Sequence, residues 1–252
     1  MNVVTLNLRN SADRWNDRFP LLIHTLLKEK PDLIGFQEVS TAIGRLNQAE
    51  LIADQLNSKL GKPFYNAYLT RCRGELSERE GIAILSRLPV LAFDDIALPN
   101  IWRVAQKVQV LITDRPVTFF NTHLHHQPLT DESIRYPQAQ AVLDWINGSE
   151  TPNILAGDMN AIPNSSTIQL FKKTLTSAYA ACHGQEPVYT FPTPLTAQGQ
   201  DITRLAIDYI FFSRGNLTLR DCHLIGNRQF TDDPALYLSD HFGLSADFSY
   251  PK

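Results

Sequence analysis

Short apolar segments alternate with longer stretches of helical periodicity along the whole chain, the pattern of a domain built from interleaved strands and helices. Ten segments read as strands: residues 2–8, 33–39, 64–70, 81–86, 105–113, 117–124, 153–158, 206–213, 217–225 and 243–248. That many strands need two sheets or one very wide one. Helices follow from spacing. Trp15, Phe19, Leu22, Ile23, Leu26 and Leu27 share one helical face, and the pattern stops before Pro31, whose ring restricts the preceding residue. Ala49, Ile52, Ala53, Leu56 and Leu60 predict a second helix ending at Gly61, and Ala139, Val142, Leu143 and Ile146 a third ending at Gly148. Ser165 or Ser166 caps a fourth that runs through Leu175.

Two polar stretches interrupt this pattern. Arg71–Glu80 reads either as a solvated loop whose charges pair among themselves, or as a clamp in which Arg71, Arg73 and Arg79 grip a substrate phosphate between Glu75, Glu78 and Glu80. Pro187–Asp201 carries three prolines and little periodicity, and loops of that length are often functional. Neither resembles a linker, because a strand pattern follows each. A single domain spanning residues 1–252 is expected.

Composition narrows the class. Hydrophobic residues make up 43% and charged residues 19% of the 252, which suits a folded protein with a substantial core. A formal net charge of −3 provides no global positive field for nucleic acid, although a bound metal supplies positive charge locally. Cys72, Cys182 and Cys222 are widely spaced and form no zinc-ligand pattern, so they read as isolated thiols. The first residues enter an apolar alternation at once, without the layout of a signal peptide, and no run approaches a membrane span. A cytoplasmic monomer without membrane insertion is expected.

Candidate chemistry sits at strand ends: Asn7, Glu38, His123, Asp158 with Asn160, Asp208, and Asp240-His241. Strand ends on one edge of a layered α/β fold face a common crevice, so these scattered groups can converge. Converging carboxylates repel unless a cation neutralises them, and all-oxygen ligands suit Mg²⁺ or Mn²⁺ rather than zinc. Such an ion polarises a phosphoryl oxygen while a base aligns water. Each residue alone has a plainer reading: Asp158 could open a turn, Asp208 close a strand, His241 sit solvated. His125 and His126 read as loop residues. The chemistry rests on the set.

The ordered series Thr-Leu-Asn (5–7), Gln-Glu (37–38), Asn-Thr-His-Leu (121–124), Gly-Asp-Met-Asn (157–160), Ile-Asp-Tyr-Ile-Phe (207–211) and Ser-Asp-His (239–241) resembles the endonuclease/exonuclease/phosphatase superfamily. Gly81–Pro89 is similar to its central strand. The resemblance implies a four-layer α/β sandwich of the deoxyribonuclease I type, two mixed β-sheets packed face to face with helices on the outer sides. It also implies roles. Glu38, with Asn7 and Asp240, would hold Mg²⁺, with Mn²⁺ as a substitute. Asp158 and Asn160 would orient water and phosphate, and His123 would bind a phosphate oxygen. His241, paired with Asp208, would contact the phosphate or act as the base. Either Asp158 or His241 could take the proton.

The motifs around His123 and Asp158 look more like the nocturnin-type deadenylase and sphingomyelinase branches than like exonuclease III. Many relatives place Arg just before Ile207-Asp208, where this chain has Ala206; Arg204 or Arg135 could stand in. The expected activity is hydrolysis of a phosphodiester, in nucleic acid or in another diester. The alternatives are a phosphomonoesterase or phospholipid-headgroup hydrolase on the same scaffold, and a catalytically silent binding module.

Overall fold

The computed structural model describes residues 1–41, 46–126, 128–197, 203–215 and 217–251. The first half contains β1 (Asn2–Asn7), α1 (Trp15–Glu29), β2 (Leu33–Ser40), α2 (Gln48–Leu60), β3 (Asn66–Arg71), β4 (Glu80–Ser86), β5 (Val90–Ala97), β6 (Val104–Ile112) and β7 (Arg115–His123). The second half contains α3 (Arg135–Asn147), β8 (Asn153–Asp158), α4 (Ser166–Lys172), β9 (Leu175–Ser177), α5 (Ala178–His183), α6 (Pro194–Ala197), β10 (Asp208–Ser213), β11 (Thr218–Ile225) and β12 (Gly243–Ser249).

The strands form two six-stranded sheets, ordered β11-β12-β1-β2-β4-β3 and β5-β6-β7-β8-β10-β9. Each is mixed, with one parallel pair, β1 with β2 and β7 with β8. A parallel pair requires a crossover, which α1 supplies in the first sheet and α3 in the second. Alternation along β1 shows the layering. Val4 and Leu6 face outward onto Leu22, Ile23, Leu26, Ile52 and Leu56 of α1 and α2. Val3 faces inward, with Leu33, Ile84, Phe119, Ile154, Ile210 and Phe248. On the far side Val142, Leu143, Ile146, Ile168 and Phe171 cover Phe120, Leu155 and Phe211. The architecture is therefore the expected four-layer α/β sandwich. Burying a leucine such as Leu22 or Leu26 contributes about 2–3 kcal/mol, so helices with little intrinsic stability are held by the sheet they cover.

The sequence pattern missed β5 and β9. The outward face of β5 is largely exposed, so its alternation is weak. The fourth helix ends at Lys172 rather than Leu175, because Thr174 turns the chain and Leu175 starts a short edge strand on β10. Residues 198–201 of the Pro187–Asp201 loop lie outside the described residues. The rest of that loop is ordered by hydrogen bonds from Thr190 and Phe191 to Leu205 and from Thr193 to Asp240. Among the described residues, no helix is long and apolar enough to cross a membrane. Cys72, Cys182 and Cys222 are free thiols.

Candidate active site

β1, β2, β7 and β8 all end at one edge of the sandwich, which places Asn7, Glu38, His123 and Asp158 there. Antiparallel β10 begins at the same edge with Asp208 as the cross-strand partner of Asp158, while His123 is its partner on β7. Asp240 and His241 lie just before β12. Two positions depart from regular strand geometry. Glu38 sits at a register shift between Phe36 and Val39 with φ of 49°, and Asn160 has φ of 47°. Left-handed backbone costs about 1–2 kcal/mol for a residue such as Glu, so the surrounding contacts must hold it. They include Leu8 N–H donating to the Gln37 carbonyl and Asn10 N–H donating to that of Glu38, at 2.9 and 2.8 Å.

Asp158 is the hub. Asn7 Nδ2 donates to Asp158 Oδ2 at 3.0 Å and to Glu38 Oε1 at 3.1 Å, and the Asn160 backbone N–H donates to Asp158 Oδ1 at 2.9 Å. His123 Nε2 and His241 Nε2 stand 3.5 and 3.9 Å from Asp158 Oδ2. His241 Nδ1 lies 2.9 Å from Asp208 Oδ2, which also accepts from the Thr190 hydroxyl at 2.6 Å. Asp208 Oδ1 is buried and has no hydrogen-bond partner. His123 Nε2 also meets Asn160 Nδ2 at 3.0 Å, and that amide donates to the Leu124 carbonyl. The sequence series thus converges within one buried pocket.

The electrostatics are those of crowded acids. Burial, then the Asp208 charge, push the Asp158 carboxyl up to about 7. Burial opposes charge on His241, yet Asp208, Asp158 and Asp240 outweigh it and raise the ring to about 10. His123 is driven the other way, well below the usual imidazole range, by burial first and the Arg103 charge second. Asp240 is raised, chiefly by burial and partly by Glu38, against the lowering effect of His241 and Arg9.

Several contributors escaped the sequence reading. Arg9 Nη1 lies 3.2 Å from Asp240 Oδ2. Buried Arg18 donates to the carbonyls of Leu8 and Leu238 at 3.0 and 2.8 Å, tying the end of β1 to the Ser239-Asp240 segment. Arg103 Nη1 bridges Glu80 Oε1 at 2.6 Å and His123 Nδ1 at 2.9 Å. Phe191 packs against the His241 ring at 4.7 Å between centroids. Arg9 adjoins the Thr-Leu-Asn motif and was within reach of the sequence; Glu80 and Arg103 carry no spacing signal. Of the arginines expected to grip phosphate, Arg135 is buried and donates to the carbonyls of His125, Leu129 and Asp131, bracing the loop after His123. Arg204 lies over the Tyr189 ring, at 4.7 Å. Arg71 pairs with Glu78 inside its loop at 4.0 Å, and Arg73 with Asp95 of β5 at 2.7 Å.

The donor set fits a hard divalent cation on the Glu38–Asp240 side. Both groups are carboxylates, Glu38 lies near enough to disfavour the charge on Asp240, and half-exposed Arg9 partly offsets it. Asn7 contributes differently: its oxygen accepts the Arg9 backbone N–H at 2.9 Å, and its amide nitrogen faces the acids, so it spaces carboxylates. Asp158, Asp208 and His241 can also bring one ligand atom each within 4.8 Å of one another. A charged His241 has no lone pair to give, so that grouping serves a metal only after losing a proton.

A sequence profile of the endonuclease/exonuclease/phosphatase family matches residues 4–241. The chain belongs to this family. Members of the endonuclease/exonuclease/phosphatase family are hydrolytic phosphoesterases. Nocturnin of Drosophila melanogaster is 25% identical over 285 residues, covering 93% of this chain and 42% of that protein. Nocturnin of Xenopus laevis is 26% identical over 267 residues, covering 95% and 66%. The chain thus spans less than two thirds of either relative. Among solved structures, the human nocturnin catalytic domain with bound sulfate superposes with a TM-score of 0.76 at 22% identity, over 100% of this chain and 93% of that one. The mannosyl-6-phosphatase of Bacteroides thetaiotaomicron VPI-5482 gives 0.77 at 19%, over 99% and 100%. D. rerio TDP2 complexed with a single-strand DNA product gives 0.77 at 20%, over 99% and 98%. At such identities these three show a shared fold.

Proposed function

We propose that the chain hydrolyses a phosphodiester with the help of a divalent cation, Mg²⁺ or Mn²⁺, by attack of water at phosphorus. The observation that carries the reading is the opposite charge states built around one carboxylate: Asp158 near neutrality, His241 held charged and His123 held neutral. A group with a pKa near the working pH is the best base. Asp158 therefore takes the water's proton as the new P–O bond forms and the bond to the leaving alcohol oxygen breaks. His241, already protonated, donates to a phosphoryl oxygen instead. His123 and Asn160 supply neutral donors to another, and Asn7 keeps the Glu38 and Asp158 carboxylates apart. Glu38 and Asp240 would hold the cation, which when bound neutralises charge on the phosphoryl and leaving oxygens.

A diester is favoured because the guanidinium groups that reach the site, Arg9 and Arg103, are each paired with a carboxylate rather than left for a dianionic monoester. The deciding assay compares bis(p-nitrophenyl) phosphate with p-nitrophenyl phosphate, with Mg²⁺, Mn²⁺ or chelator. Cation-dependent turnover of the diester is expected, reduced about 10³-fold or more in Asp158→Asn and His241→Ala. Faster turnover of the monoester would replace the diester reading with a phosphatase. Silence on every ester with either ion would leave a binding module. A panel of single-stranded DNA, RNA, sphingomyelin and phosphoinositides then tests the natural substrate, where a steep salt dependence marks a polyanion.

A further inference from the structure

We propose that Arg103, backed by Glu80, is a positioning residue that fixes His123 as its Nε2–H tautomer and so makes the ring a hydrogen-bond donor to the phosphoryl group. The inference deepens the reading above and rests on it for the identity of the acceptor. The wiring stands on geometry alone. Arg103 Nη1 lies 2.9 Å from His123 Nδ1, and guanidinium nitrogens only donate. The nitrogen that receives that bond must present its lone pair. In a neutral ring the proton then sits on Nε2, which faces Asn160 Nδ2 at 3.0 Å and Asp158 Oδ2 at 3.5 Å.

Glu80 makes the arrangement affordable in a buried place. Its carboxylate accepts from the same Nη1 at 2.6 Å, so one nitrogen directs one hydrogen to the acid and the other to the ring. Arg103 and His123 are 6% and 1% exposed, which excludes water as a competing partner for Nδ1. The second histidine is wired in the opposite sense: His241 Nδ1 meets the Asp208 carboxylate, an acceptor, so that nitrogen carries a proton. Both rings nonetheless present Nε2–H toward Asp158, His241 through its charge and His123 through its tautomer. The Asn160 amide nitrogen at Nε2 is also only a donor, so it competes with Arg103 for the ring's one lone pair; the charged guanidinium is the stronger donor and takes it, and the amide keeps the Leu124 carbonyl as its own acceptor. What the Nε2–H lacks is a close acceptor, and a phosphoryl oxygen fits that place.

The test reads the tautomer directly. Protein labelled with ¹⁵N-histidine, with His123→Ala for assignment, reports at pH 7.5 which ring nitrogen of His123 carries the proton. Wild type should show a pyridine-like Nδ1 and a pyrrole-like Nε2, and Arg103→Met a mixture. Arg103→Lys, which keeps a donor, should restore the wild-type pattern. Where wild type hydrolyses the diester, Arg103→Met should lower kcat about 30- to 300-fold with KM within about threefold, and Arg103→Lys should recover most of it. Should Arg103→Met strand Glu80 and fail to fold, Glu80→Gln/Arg103→Met removes both charges and carries the same expectation. A protonated Nδ1 in wild type, or an unchanged tautomer and kcat without the guanidinium, overturns the proposal. A wild type silent on all esters but showing the Nε2–H pattern overturns the phosphodiesterase reading and leaves the wiring standing.

Discussion

Replacing Asp158 by Asn should make the protein more stable while abolishing turnover, and the gain should depend on pH in a way the burial of this residue dictates. The carboxyl moves from 3.8 to about 7 in the fold, so the folded state binds its proton more readily than the unfolded chain does. The sign follows: the cost of ionising Asp158 is absent below about pH 3.8, grows by about 1.4 kcal/mol per pH unit, and is complete above about pH 7. On that scale wild type gives up about 2 kcal/mol at pH 5 and on the order of 4 kcal/mol at pH 8. The amide carries no such cost. It loses one acceptor, because the Asn7 amide now faces an NH₂, which costs about 1 kcal/mol at every pH.

The pH-dependent part is therefore the clean signal, a swing of roughly 3 kcal/mol between pH 5 and pH 8. For a chain of this size it amounts to roughly 6–12 °C in the difference between the two midpoints. Thermal melts of chelator-treated wild type and Asp158→Asn across that range measure it. Added Mg²⁺ should raise both midpoints at pH 8, because the variant keeps Glu38 and Asp240. A difference that stays flat with pH, or a variant less stable than wild type at pH 8, would refute the claim that a buried, charge-crowded Asp158 is the hub.

Two further outcomes follow from the same geometry. The diester rate in saturating substrate should rise as Asp158 ionises, below about pH 7 because the bound cation favours the carboxylate, and fall at alkaline pH as His241 loses its proton; Asp208→Asn, which removes the largest charge raising His241, should move the alkaline limb downward. Gly157→Ala should destabilise by more than about 3 kcal/mol, because the backbone has φ of 151° and a Cβ there would run into the Thr122 carbonyl oxygen; urea unfolding checks it, and a shift below about 1 kcal/mol would contradict the contact.

Much of the site was readable before any coordinates because strand ends carry function in this architecture, and each motif pairs an apolar run with a polar terminus. Val3–Leu6 before Asn7 and Asn153–Gly157 before Asp158 are core-facing strands whose last residue leaves the sheet edge. Glu80 and Arg103 were not readable in the same way. Glu80 opens β4 of one sheet and Arg103 lies just before β6 of the other, and only the face-to-face packing of those sheets brings Glu80 and Arg103 together beside His123. Arg135 illustrates the opposite error. It was a candidate to stand in for the arginine that relatives place before Ile207-Asp208, whereas its guanidinium donates to the carbonyls of the loop after His123. A cation's sequence neighbourhood does not reveal whether a carbonyl or a ligand will satisfy it.

The charge balance connects the site to its chemistry. Five carboxylates, Glu38, Glu80, Asp158, Asp208 and Asp240, face three cations, Arg9, Arg103 and His241, and adding Arg18 with Asp13 leaves the balance unchanged. Two negative charges are left over, the charge of one divalent cation. Without the ion the excess is relieved by protonation, and Asp158, raised first by its burial and then by the Asp208 charge, is the acid that takes it up. With the ion the pocket is neutral, and a diester bearing one negative charge can be held by N–H donors from His123, Asn160 and His241. A monoester dianion would bring a second charge into the same buried space, where the two nearest guanidinium groups, Arg9 and Arg103, are each already paired with a carboxylate. The preference for diesters in this reading thus follows from the pairing of Arg9 and Arg103 with carboxylates, and freeing one should shift it: Glu80→Gln, which removes the carboxylate charge that Arg103 pairs with, should raise the monoester-to-diester ratio.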